Sequence, residues 1–300
     1  MLFINAGFAK VVGAAVVPHG AIALQPTHPF GGNSTEKLWA TALHKAYLDF
    51  GEWIQSLKLN FVFLSTPHGM ADASHFGFYA NSVAGGNADQ TEGKFNYTNT
   101  TSVEVELERS ITQGLFDRLQ EEVNVTMLTA FAATEVFPLR WAEVIPFHFM
   151  LTGRRSRNNN TPVVIVSQPT KRYNQSLLMI PELEALGDNL WSVLESLEER
   201  VAVVVSGDLA HTHNASGPYG WSAAAEPFDV AAGKWANTIN SSFLTEVAKR
   251  YVDEALSCGY TGMVMLSSLL DKCSSCWGSR VIGPYHPSYY GMMVATFPRQ

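Results

Sequence analysis

The chain has 300 residues, 46% of them hydrophobic and 16% charged, a balance that suits a globular protein with a sizeable buried core and excludes a disordered or collagen-like one. Its formal charge is −7 and its twenty Lys and Arg are spread along the chain with no run longer than two, so no basic stripe offers itself to nucleic acid. No run reaches the ~18 apolar residues that cross a bilayer.

The first apolar run, 11–17, is β-branched and ends in Pro18-His19-Gly20. With no basic stretch before it, it reads as a buried first strand and not as a signal peptide. A helical pattern follows over 35–57, then a strand over 59–65 that runs into a second Pro-His-Gly at 67–69. Residues 80–102 read as a long polar loop and 101–122 as a helix. Beyond them come a strand at 125–131, the segment "PLRWAEVIPFHFM" and a polar turn "GRRSRNNNT". The second half alternates a strand at 162–167, a helix at 176–198, a strand at 201–206, helices at 228–256 and 262–270, and a closing strand at 290–297. Such alternation implies an α/β fold with a mostly parallel central sheet and helices on both faces. No repeat or linker divides it, so one domain over 1–300 is the simplest account.

Ligand sites in sheets of this kind lie outside the carboxyl ends of the strands. His19, His68 and the pair Asp208 and His211 of "VVSGDLAHTH" all fall there. A single histidine after a strand is ordinarily a loop residue, but three at equivalent positions, two as Pro-His-Gly, point to a site. Two neutral imidazoles and a third ligand leave open positions on a non-haem metal, and a further histidine nearby can move protons. The chain carries no GxSxG elbow, phosphate-binding GxxxxGK[ST] loop or GxGxxG, so hydrolase, NTPase and dehydrogenase readings lack a motif. His213 adds to the site if it lies in a loop. Glu226 and Asp229 read as acids at a helix start, with Asp229 alternatively orienting His211.

Sequons for N-glycosylation occur at Asn33, Asn96, Asn99, Asn124, Asn159, Asn174, Asn214 and Asn240, where about two or three arise by chance at this composition. The excess suggests a secreted, extracellular glycoprotein whose leader is not in this sequence; an Asn-rich cytoplasmic protein is the alternative. Cys273 and Cys276 form one CxxC, able to close a short disulfide, and Cys258 is left over.

The order and spacing of "VVPHG", "LSTPHG", "PLRWAEVIPFHFM", "VVSGDLAHTH" with "EPFD", "SCGYTGMVMLSSLL" and "YYGMMVATF" resemble the class III extradiol dioxygenase superfamily, the LigB-like proteins, which include the Memo branch. The resemblance implies that His19 and His68 bind a divalent metal, Fe(II) first, and that His211 is the acid/base with Asp208 beside it. Where ring-cleaving members carry a Glu ligand, this chain offers Cys258, as the Memo branch does, and a thiolate shifts preference toward copper or zinc. Where they carry Asp-His-Gly before the mid-chain motif, this chain reads Arg140-Trp141-Ala142. Trp141, Tyr285, His286 and Tyr289 are the further pocket candidates. The implied partners are a small aromatic diol and O2, with a homo-oligomer left open. The implied activity is extradiol ring opening; the alternatives are a secreted glycoprotein keeping the fold as a binding or structural component, and a Memo-like redox or copper protein.

Overall fold

The computed structural model describes residues 10–25, 33–89, 100–152 and 161–300. The turn at 153–160 and the sequence candidates Asn96, Asn99 and Asn159 lie outside them. Near-continuous apolar runs form strands buried at every position and covered on both faces: β1 (Val11–Val17), β2 (Phe61–Thr66), β8 (Val163–Ser167) and β9 (Val201–Ser206). With β3 (Phe76–Tyr79), β6 (Val125–Leu128), β10 (Arg280–Tyr285) and β11 (Met292–Pro298) they make an eight-stranded sheet in the order β10-β11-β1-β9-β2-β8-β3-β6. The parallel heart is β1-β9-β2-β8. β11 runs antiparallel to β1 and β10, and β3 antiparallel to β8. The sheet is therefore mixed, a correction to the mostly parallel expectation: the short connection from β10 to β11 permits only an antiparallel pair.

A second, three-stranded sheet is built from β4 (Val83–Asp89), β5 (Thr100–Glu106) and β7 (Val136–Leu139), in the order β5-β4-β7. It replaces parts of the expected loop over 80–102 and helix over 101–122. Thr101 and Val105 alternate with exposed residues, the period of a half-buried strand. The helix itself begins only at α2 (Arg109–Leu119).

The remaining helices are α1 (Ser34–Ser56), α3 (Trp141–Thr152), α4 (Arg172–Gln175), α5 (Ile180–Ser196), α6 (Ala225–Thr238), α7 (Val252–Ala255) and α8 (Tyr260–Asp271). Asn33 caps α1 through a capping box with Glu36. The expected helix over 228–256 breaks at Ile239, which takes a left-handed conformation, and continues as irregular turns to α7. Alternate residues of the parallel strands feed two cores. Phe63, Val164, Val203 and Val205 pack with α2, α5, α6 and α8; Leu64, Ile165, Ala202 and Val204 pack with α1, α3 and the small sheet. Cys273 and Cys276 are joined as a disulfide beyond α8. Among the described residues, no helix is long and apolar enough to cross a membrane.

Candidate metal centre

β1, β9 and β2 are neighbours, so the chain segments leaving their carboxyl ends meet over the middle of the sheet. At the first of these corners the Tyr47 hydroxyl donates to the Pro18 carbonyl. The His19 backbone N–H donates to Asp208 Oδ1 at 3.0 Å. The His19 ring is buried, with Nδ1 2.9 Å from Ser206 Oγ. Ser206 itself donates to the Ala142 carbonyl at 2.5 Å. The serine proton is thus spent, and its lone pair receives Nδ1–H. That leaves the lone pair of His19 on Nε2, which faces Cys258 Sγ at 3.4 Å and Asp208 Oδ2 at 3.3 Å.

His68, at the second corner, packs edge-on against His19 with ring centroids 5.0 Å apart. Trp141 stacks on it at 5.3 Å. Its Nδ1 lies 3.4 Å from Arg172 Nη2 and 3.5 Å from the Tyr173 hydroxyl. Arg172 is buried and is held by the Pro67 carbonyl, to which both Nε and Nη2 donate; no salt bridge to a carboxylate joins it among the described residues. In both Pro-His-Gly corners the glycine is required by close approach: a Cβ at Gly20 would strike the Tyr290 ring, and one at Gly69 the Tyr79 hydroxyl and the Glu143 carboxylate.

Cys258 reaches the site from the segment that leads into α8. A Cβ on Gly207 would overlap Gly259, so bare backbones let the two chains touch. Gly259 N–H and the Ser257 hydroxyl donate to the Asp208 carbonyl, each at 3.0 Å, and Asp208 N–H donates to Cys258 Sγ at 3.3 Å. His211 is anchored by its backbone N–H to the Ala255 carbonyl at 2.7 Å. Its ring lies among Tyr219, Tyr289 and Tyr290, and its buried Nδ1 has no hydrogen-bond partner among the described residues.

One donor atom each from His19, His68 and Cys258 falls within 4.8 Å of the others, as does one each from Asp208, His211 and Cys258. Burial favours the uncharged form of each of these groups. It depresses His19 well below the usual imidazole range, His68 to about 3 and His211 to about 4, and raises Asp208 to about 7 and Cys258 to about 12. A cation among them reverses this for the thiol and the carboxyl.

Beside His68 a cleft of about 470 Å³ opens, lined among others by Met70, Arg140, Trp141, Thr170 and Tyr173, a size that suits a small molecule. Trp141 and Tyr289 thus adjoin His68 and His211. His213, Tyr285 and His286 do not join them: His213 pairs with Asp229 at 2.8 Å and stacks on His286, while Tyr285 stacks on Trp39. Asp229 holds the Ala210 N–H and His213, and the His211 ring is not its partner. Arg172, Tyr173, Ser206 and Glu143 escaped the sequence reading. The same carboxyl-end rule, applied to β8, would have found the "KRY" segment that carries Arg172 and Tyr173.

Residues 13–294 match the family model described as the catalytic LigB subunit of aromatic ring-opening dioxygenase. The chain belongs to the LigB family. The LigB-family chain is also 23% identical over 227 residues to protein CA_C1420 of Clostridium acetobutylicum, a stretch covering 71% of this chain and 43% of that protein. It therefore spans less than half the length of that curated relative. The donor set of this LigB chain fits a metal ion. Nitrogen and sulfur donors at about 2.1 and 2.3 Å from one tetrahedral ion lie about 3.5 Å apart, and His19 Nε2 and Cys258 Sγ are 3.4 Å apart. The bond from Nδ1 to Ser206 is the support that a metal-bound imidazole ordinarily has.

Proposed function

We propose that this chain is a metal-dependent dioxygenase that opens a catechol-type diol with O2, its ion held by His19, His68 and Cys258. The observation that carries the reading is the convergence of one donor atom from each of those three residues within 4.8 Å of the others, with the unpartnered His211 Nδ1 nearby and an aromatic-lined cleft alongside. Fe(II) is the ion that family chemistry suggests; when bound, it supplies the electron path between diol and dioxygen.

The protein's own groups do the rest. Trp141 and Tyr173 offer flat faces to an aromatic ring in the cleft. The charges of Arg172 and Arg140 add to burial in lowering the His68 pKa, and the same field favours a diol that has lost a proton. His211, whose pKa burial lowers, takes that proton on its imidazole and returns it to the opened product. Asp208 fixes the His19 backbone, and the Tyr290 ring stacks on the His211 ring and fixes its orientation.

Anaerobic loading with Fe(II), followed by O2 uptake across a panel of catechols, tests the reading. Uptake that needs both iron and diol is expected, and loaded protein that consumes no O2 with any diol overturns it. His211→Ala is expected to lower uptake about 10²- to 10⁴-fold with metal content unchanged.

Cys258 favours a second reading, a Memo-like redox protein for copper, or a zinc protein, because a thiolate donor suits those ions better than Fe(II). Metal analysis of protein from its native source separates the two. A secretory route is proposed with either: the sequon asparagines in the described residues, Asn33, Asn124, Asn174, Asn214 and Asn240, are all exposed.

A further inference from the structure

We propose that His213, His286 and Glu226 form a second metal site, for a borderline divalent ion such as Zn2+ or Cu2+, separate from the His19, His68 and Cys258 group. The three come from the loop after β9, the loop between β10 and β11, and the first turn of α6. One donor atom of each lies within 4.8 Å of the others. Two imidazoles and a carboxylate are a donor set that zinc takes readily and copper accepts.

What distinguishes this cluster from a chance surface grouping is its support. His213 Nε2 lies 2.8 Å from Asp229 Oδ2, and Asp229 is buried and fixed in turn by the Ala210 N–H at 2.9 Å. A carboxylate on one ring nitrogen sets the tautomer and orientation of a metal-binding histidine and leaves the other nitrogen with its lone pair. Here that nitrogen is Nδ1, which no hydrogen bond from a described residue reaches.

His286 lies on His213 with centroids 4.2 Å apart and planes 5° from parallel, its Nε2 3.9 Å from Glu226 Oε2. Lone pairs in near-parallel planes do not converge on one point. Capture of an ion therefore turns His286, whose side chain is 36% exposed, toward Glu226, while His213 stays on Asp229. The turn also moves His286 against Trp39, 4.8 Å away, which provides an optical signal.

The test is a Zn2+ titration of the full chain, with bound zinc counted by equilibrium dialysis and Trp39 followed by fluorescence against a Trp39→Phe control. The wild type is expected to bind one more equivalent than the His286→Ala, Glu226→Gln double variant, whose changes lie at exposed or half-exposed positions and whose fold is checked by circular dichroism. Cys258→Ser is expected to keep that equivalent together with the Trp39 response. Equal zinc in wild type and double variant, a silent Trp39 while zinc fills, or loss of the Trp39 response in Cys258→Ser overturns the site. None of these outcomes depends on dioxygenase activity.

Discussion

Glu143 offers a quantitative test of the electrostatics beneath the His68 corner. It is fully buried, accepting the Arg140 N–H at 2.9 Å and the Tyr79 hydroxyl at 3.1 Å, and its carboxylate closes the space that Gly69 leaves open. Burial outweighs those bonds and raises its pKa from 4.5 to about 7. The folded protein therefore keeps the proton up to about pH 7, while the unfolded chain releases it near 4.5. Between these values folding takes up a proton, so stability falls as pH rises through the window. The shift corresponds to about 3 kcal/mol at 1.36 kcal/mol per pKa unit, fully lost above pH 7. Glu143→Gln removes this dependence, because an amide accepts from Arg140, donates to Tyr79 and does not titrate. Asp208 and Asp229 also have raised pKa values through burial, but they contribute the same slope to both proteins and cancel in the difference. Urea denaturation of chelator-treated wild type and variant, from pH 4.5 to 8, is the assay. The variant's stability relative to wild type is expected to climb by about 3 kcal/mol across the window. Parallel pH profiles would show that Glu143 is ionised throughout and refute the argument.

Other consequences can be measured directly. Gly291→Ala places a methyl group against the Asp229 carboxylate, endangering its bonds to Ala210 and His213, and is expected to cost about 3 kcal/mol at roughly 1.5 kcal/mol or more for each charge-assisted bond. The cost should shrink in an Asp229→Ala background, as a double-mutant cycle in denaturant would report. Cys258→Ser is expected to weaken metal binding by more than about 100-fold, since loss even of a ligand's supporting partner costs 10- to 100-fold; competition against a chromophoric chelator measures it. Peptide mass mapping of native protein is expected to find glycan on Asn124, and bare asparagine at Asn96 and Asn124 would end the secretory proposal.

How far the sequence carried depended on the kind of burial. β1, β2, β8 and β9 stood out because a strand covered on both faces must be apolar at every position. β4 did not, since "VAGGNAD" reads as loop; its Gly86 is required because a side chain there would strike the Leu139 backbone of β7. β5 is masked by its run of Thr, Val and Glu, which leads directly into the helical pattern of α2. α3 shows little amphipathic period because it is buried nearly all round and carries Pro146 inside. The break after α6 rests on a non-glycine left-handed residue, Ile239, which no local composition announces.

The site divides along the same line. That His19, His68, Asp208 and His211 sit at carboxyl ends follows from reading strands one at a time. That they face one another depends on strand order, which local pattern does not encode. Here β9 lies between β1 and β2. With neighbouring strands about 4.8 Å apart, the two Pro-His-Gly corners end about 10 Å from each other, a gap that two inward-turned imidazoles close, with Asp208 on the strand between them. Cys258 has no such argument, because it arrives from a segment far along the chain and is admitted only where Gly207 and Gly259 let two backbones touch. Had β8 taken the place of β9 in the sheet, the same residues would still follow strands, but Asp208 and His211 would emerge beside only one of the two histidine corners and the donors would not share an ion.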